Sequence, residues 1–243
     1  MKAVILAAGA ARRLAPLTNN RPKSLIEIGE KSILENQLDA LNHYGVNDVL
    51  IVVGYLKEQI IERIGTKYKN LNISYCENPI YATTNTVYSL MLAGDYFLGH
   101  DFLYFNADVF FHHSLLQRLL TSPYETALGV EIKPCGEEEV KVIVDTERRI
   151  VRIGKKINIA GSLGEFVGVA KFGARLTADF MESLKAVVQE GQQMSFFEAA
   201  VDRILDKHPM YAEDISDIPV VEIDFPEDLE KARGVIFKRI QSF

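Results

Sequence analysis

Ala3-Val4-Ile5-Leu6-Ala7-Ala8 is an unbroken apolar run that ends at Gly9-Ala10-Ala11-Arg12-Arg13-Leu14. A run this short, closed by glycine, reads as a strand buried on both faces. It lacks the length of a signal-peptide core or a membrane span. At the carboxyl end of a parallel strand, backbone N–H groups converge and can hold an anion. Gly9 would let a phosphate-bearing ligand come close, and Arg12 or Arg13, with Lys23 after Pro22, would neutralise its charge. Neither the dinucleotide glycine motif nor the glycine-rich Lys-Ser/Thr phosphate loop is present, which disfavours a Rossmann dehydrogenase or an ordinary ATPase.

Working outward, residues 9–24 read as a loop rich in Arg, Pro, Asn and Thr. Helical spacing begins at Ser32 and carries Ile33, Leu34, Leu38 and Leu41 to Gly45. Strands are expected at 49–53, 73–75, 102–106 and 126–132, and helices at 57–64, 86–97 and 114–120. Such alternation with short connections predicts a mainly parallel sheet covered by helices. After Pro134 the pattern changes. β-branched strands at 139–144 and 148–153 flank Asp145-Thr146-Glu147-Arg148, a hairpin turn. Strand 166–172, helices 174–189 and 195–206, strands 210–213 and 220–223, and helix 227–240 complete the chain. The expectation is one α/β domain over 1–243, a Rossmann-like three-layer unit with a mixed, mainly parallel central sheet and a small β-rich insert at 134–165.

Composition narrows the function. The chain has 243 residues, 48% hydrophobic and 25% charged, with a formal net charge of -6. Proteins that wrap a nucleic-acid backbone show the opposite sign, so nucleic-acid binding is not expected. Cys76 and Cys135 follow no metal-ligand spacing and read as free thiols. No run is long enough for a membrane span, so a cytoplasmic protein is expected. The apolar C-terminal helices suit either a core or a homodimer interface.

Two aspartates stand out. Asp108 follows strand 102–106, and Asp224 follows strand 220–223 just before Pro226. Carboxylates brought to one crevice from distant parts of a chain suit a hard divalent cation that bridges phosphate oxygens. Asp228 reads as a first-turn helix residue, and His112 and His113 as loop residues.

The segment Leu6 to Thr18, continued by Arg21-Pro22-Lys23-Ser24-Leu25, resembles the signature of the nucleotidyltransferases that make activated sugars and alcohols. The resemblance covers nearly the whole chain. It implies that Leu6, Ala7, Ala8 and Gly9 line the nucleotide, that Arg13 and Lys23 contact its phosphates as catalytic groups, and that Asn106-Ala-Asp108 and the segment around Asp224 hold Mg2+. The family's usual second glycine is Ala11 here. If that position needs positive φ, alanine costs about 1 kcal/mol.

Glu77 to Leu90 resembles the branch of this family that acts on phosphocholine, 2-aminoethylphosphonate and similar acceptors, through Tyr81-Ala82-Thr83-Thr84-Asn85 before Tyr88-Ser89-Leu90. The implied partners are CTP and a small phosphorylated or phosphonate amine or alcohol, with Asn85 near the nucleotide or the acceptor. Tyr81 and Tyr88 could pack around a cationic head group. Lys141 and Lys155 stand where the branch carries acceptor-phosphate lysines, and Glu165 could attract an acceptor amine. Two rival readings are a sugar-1-phosphate nucleotidyltransferase using UTP, dTTP or GTP, and a non-catalytic nucleotide-sensing domain.

Overall fold

The computed structural model describes residues 1–243, and in it the opening apolar run forms strand β1, Lys2–Ala7. Its side chains alternate between two cores. Val4, Leu6 and Ala8 enter one apolar cluster, and Ala3, Ile5 and Ala7 enter another. Strands β4 (Asp48–Val53) and β7 (Phe102–Asn106) repeat the split, with Leu50, Val52, Phe102 and Tyr104 on one side and Ile51, Val53, Leu103 and Phe105 on the other. A strand apolar at every position needs cover on both faces. Helices supply it, and the result is three layers.

The main sheet has ten strands in the order β11-β10-β12-β7-β1-β4-β6-β5, with β9 on β12 and β13 on β9. The further strands are β5 (Lys67–Tyr68), β6 (Leu71–Glu77), β9 (Ala127–Glu131), β10 (Lys141–Val144), β11 (Ile150–Gly154), β12 (Gly164–Phe172) and β13 (Tyr211–Asp214). β1 pairs in parallel with β4 and β7, and β4 with β6, whereas β12 runs antiparallel to β7, β9 and β10. The sheet is therefore mixed, with a parallel centre.

The hairpin over 134–165 is part of this sheet, because β10 pairs with both β11 and β12. Its turn lies at Asp145–Arg148. Asp145 Oδ1 accepts from the N–H groups of Glu147 and Arg149, and Arg148 takes φ 64°.

Two small ribbons stand outside the sheet. β2 (Glu27–Ile28) pairs with β3 (Lys31–Ser32), and β8 (Val109–Phe111) pairs with β14 (Val220–Glu222). Around them a third apolar cluster gathers Leu14, Ile26, Ile28, Ile33, Phe110, Val221, Ile223 and Leu229. It fastens the loop after β1 to the far end of the chain.

Local chemistry fixes the helices. Helix Ile33–His43 starts at a reciprocal cap: Ser32 Oγ accepts from Glu35 N and Glu35 Oε2 accepts from Ser32 N, an arrangement worth about 1 kcal/mol. The helix expected over 86–97 divides into Thr86–Leu92 and Gly94–Phe97. A Cβ on Gly94 would lie 2.3 Å from Met181 Sδ, so glycine there allows helix Thr177–Gln189 to come close. The helix expected over 195–206 is regular only at Glu198–Asp202. No helix is long and apolar enough to cross a membrane.

Candidate active site

The carboxyl end of β1 opens into a cavity of about 430 Å³, lined there by Leu6, Ala8, Gly9 and Arg13. Apart from its chain neighbours, nothing lies within 4 Å of where a Cβ on Gly9 would be, so its missing side chain leaves cavity free for a ligand. Ala7 faces the other core and is not part of this lining. Beyond Gly9 the loop turns back through Ala11, which adopts φ 45° and ψ 49°, the left-handed conformation that a second glycine would relieve. Thr18 Oγ1 donates to Ala11 O at 2.9 Å, and Leu14 inserts into the third cluster, which together hold the turn.

Asp108 and Asp224 meet because their flanking strands pair. In the β8–β14 ribbon Val109 stands opposite Glu222, and Ile223 N donates to Asp108 O at 3.0 Å. The buried Gln37 pins the turn before β8, with Nε2 donating to Asn106 O at 2.9 Å and to Val109 O at 2.8 Å. On the other side, Asp228 Oδ2 accepts from the N–H groups of Asp224 and Phe225 at the start of helix Pro226–Lys231.

Lys23 closes the group. Its Nζ lies 2.8 Å from Asp108 Oδ2 and 2.7 Å from Asp224 Oδ1, and Arg13 reaches Asp224 Oδ2 at 2.6 Å. Burial opposes the Lys23 charge, but Asp108 and Asp224 outweigh it and hold the ammonium pKa above its usual value. Burial likewise opposes the Asp224 charge, yet Lys23 and then Arg13 pull its pKa below the ordinary carboxylate range. Glu222 moves the other way, driven well up by burial and by the charges of Asp108 and Asp224.

Carboxylate oxygens of Asp108, Glu222 and Asp224 all lie within 4.8 Å of one another. Asp108 Oδ1 is buried and has no hydrogen-bond partner. An all-oxygen donor set with an unsatisfied buried carboxylate oxygen fits a hard divalent cation such as magnesium. Glu222, which was not among the expected ligands, belongs to this group. Its signal in the sequence was a lone acid in the apolar run Val220-Val221-Glu222-Ile223.

The residues expected around an acceptor separate. Tyr81, Asn85, Lys155 and Glu165 line the cavity. Asn85 Oδ1 also caps helix Thr86–Leu92 by accepting from Thr86 N. Lys155 Nζ lies 4.7 Å above the Phe196 ring and 3.8 Å from Glu138. Glu165 already has a cation beside it, Lys133 at 2.6 Å, although burial still raises its pKa.

Tyr88 lies outside the cavity lining and packs against the core. Lys141 departs from expectation. It is 1% exposed, and Nζ donates to the carbonyls of Gly136, Glu137 and Glu139 at 3.0, 3.3 and 3.2 Å. The ammonium therefore fastens the loop that carries Glu138, because a buried charge in an apolar strand must take the nearest acceptors. Sequence reading also missed Lys133, Glu198 and the buried Asn78, whose Nδ2 donates to Thr84 Oγ1 and Ser89 Oγ.

Comparison with known proteins agrees with this geometry. Residues 2–139 match the nucleotidyl transferase family model. The CMP-5'-(3-aminopropyl)phosphonate synthase of Streptomyces rubellomurinus is 30% identical over 96% of the chain, which spans 38% of that longer protein. The choline-phosphate cytidylyltransferase of Streptococcus pneumoniae is 29% identical over 97% of this chain and 98% of its own. The solved structure of a CTP:phosphocholine cytidylyltransferase from Streptococcus pneumoniae superposes with a TM-score of 0.79 at 24% identity, covering 97% of this chain and 98% of that one. The matched residues 2–139 include the loop after β1, Lys23 and Asp108, and this chain belongs to the nucleotidyl transferase family.

Proposed function

We propose that this enzyme transfers CMP from CTP to a small phosphorylated or phosphonate amine or alcohol and releases pyrophosphate. The observation that carries the reading is the convergence of Lys23 with Asp108 and Asp224 beside the open Gly9 turn. The cytidylyltransferase relatives support CTP as the nucleotide and phosphocholine or an aminoalkyl phosphonate such as 3-aminopropylphosphonate as models of the acceptor.

In this reading an oxygen of the acceptor phosphate or phosphonate attacks the α-phosphorus of CTP. The new P–O bond forms as the bond to the bridging oxygen breaks, and the electron pair leaves with pyrophosphate. The attacking oxygen is already ionised near neutral pH, so positioning and charge neutralisation supply most of the catalysis. Backbone groups from Ala8 and Gly9 would cradle the nucleotide, while Arg13 and Lys23 would turn from their carboxylates to the phosphates. Asp108, Glu222 and Asp224 would hold magnesium, which supplies charge neutralisation at the phosphate oxygens when bound. Lys155, on the cavity wall, would draw the acceptor phosphate inward.

Asp108→Asn and Asp224→Asn test the arrangement. Each is expected to lower kcat at least about tenfold at saturating CTP and magnesium, with the circular dichroism spectrum unchanged. Wild-type rates in both variants would remove these carboxylates from the chemistry.

A further inference from the structure

One cavity group has no place in the transfer step. Glu198 is 3% exposed, lines the same cavity, and its Oε2 is buried with no hydrogen-bond partner. No cation lies within ion-pair distance of it. Lys155, the nearby positive charge, instead sits over Phe196 and against Glu138. A carboxylate taken out of water and left with an empty acceptor position is costly unless a donor arrives.

The rest of the wall indicates which donor. Carboxylates outnumber cations among the lining residues, which favours an incoming positive charge. The aromatic rings on the wall are Tyr81, Phe166, Phe196 and Phe225. Arg13 lies 4.8 Å from the Phe225 ring and Lys155 lies 4.7 Å from the Phe196 ring, while Phe166 is 1% exposed. A quaternary ammonium has no N–H and could use only ring faces, which would leave Glu198 Oε2 without a donor. A primary ammonium has three N–H donors, and a charge-assisted hydrogen bond is what an unpartnered carboxylate oxygen lacks.

We infer that Glu198 is a specificity-determining residue that receives the primary ammonium of an aminoalkyl phosphonate or phosphate, and so selects such acceptors over quaternary-ammonium ones. The inference rests on the transferase reading and narrows its acceptor class. Burial lifts the Glu198 pKa to about 7, and an ammonium docked against it would bring that value back down, so acceptor binding and ionisation of Glu198 reinforce each other.

The test is pyrophosphate release by the full chain with magnesium, using 2-aminoethylphosphonate, 3-aminopropylphosphonate, phosphocholine and amine-free ethylphosphonate. Each acceptor is assayed with CTP, UTP, dTTP and GTP. With whichever nucleotide turns over, the wild type is expected to favour a primary-amine acceptor over phosphocholine by at least about tenfold in kcat/KM. Glu198→Gln is expected to lose at least about tenfold for the amines, through KM, while its rate with ethylphosphonate stays unchanged. Glu198→Asp is expected to recover part of the loss. Turnover with a nucleotide other than CTP defeats the nucleotide assignment and leaves the amine comparison intact. Equal loss across all acceptors in Glu198→Gln, or a wild-type preference for phosphocholine, overturns the role of Glu198. If no acceptor turns over, calorimetric titration of 3-aminopropylphosphonate into wild type and Glu198→Gln decides, and equal or undetectable binding overturns it.

Discussion

Glu198 sets function against stability at a single side chain. Burial raises its pKa from 4.5 to about 7, so the folded chain holds this proton more tightly than the unfolded one. The resulting stability is fully present below the unfolded value and is lost as pH rises through about 7, approaching about 3 kcal/mol by pH 8. Glu198→Gln stays neutral throughout. Urea unfolding is therefore expected to show the variant close to wild type at pH 4.5 and about 1–3 kcal/mol more stable at pH 8. A gap that does not change with pH would mean that the carboxyl is not desolvated. At this scale the sequence was partly legible. Lys23, Arg13, Asp108 and Asp224 could be read because each follows a strand end or belongs to a dense motif, and they do converge. Ala11 could be read as a strained position, and its φ of 45° is that strain. Glu198 sits between Phe197 and Ala199, where helical periodicity hid the one acid in an apolar stretch. Lys141 misled because whether a strand lysine points to solvent or into a loop depends on the strand's partners, which spacing does not show.

The Asn106–Val109 turn is the element on which Asp108 depends. Gln37 donates to the carbonyls at both ends of it, so an amide from helix Ile33–His43 sets where the carboxylate emerges. Gln37→Leu removes that donor from both carbonyls. It is expected to cost about 1–3 kcal/mol in chemical denaturation and to lower kcat at least about threefold, with KM for the nucleotide little changed. Unaltered kcat in a destabilised variant would confine Gln37 to the fold. Elements buried on both faces were readable from the sequence: β1, β4 and β7 fall close to the expected segments because their apolar runs admit one environment. The β8–β14 ribbon was not anticipated as a pair. Its strands have three residues each, and its register depends on a partner more than a hundred residues away.

Across the whole molecule, the arrangement places cations against the carboxylates that they would leave for a ligand. Arg13 bridges Asp224 and, at 3.7 Å, Glu138 of the 134–140 loop, while Lys23 spans Asp108 and Asp224. Three-layer order and the parallel centre were legible from the alternation of apolar runs. That the 134–165 hairpin continues the main sheet was not, because strand-edge pairing is a property of the assembled sheet. Pyrophosphate release under a nucleotide panel decides whether the enzyme transfers CMP from CTP. With magnesium and a saturating aminoalkyl phosphonate, CTP is expected to exceed UTP, dTTP and GTP by at least about tenfold in kcat/KM, with a CMP–phosphonate product found by mass spectrometry. Equal or faster release from UTP, dTTP or GTP, or release only when a sugar 1-phosphate is the acceptor, would contradict it.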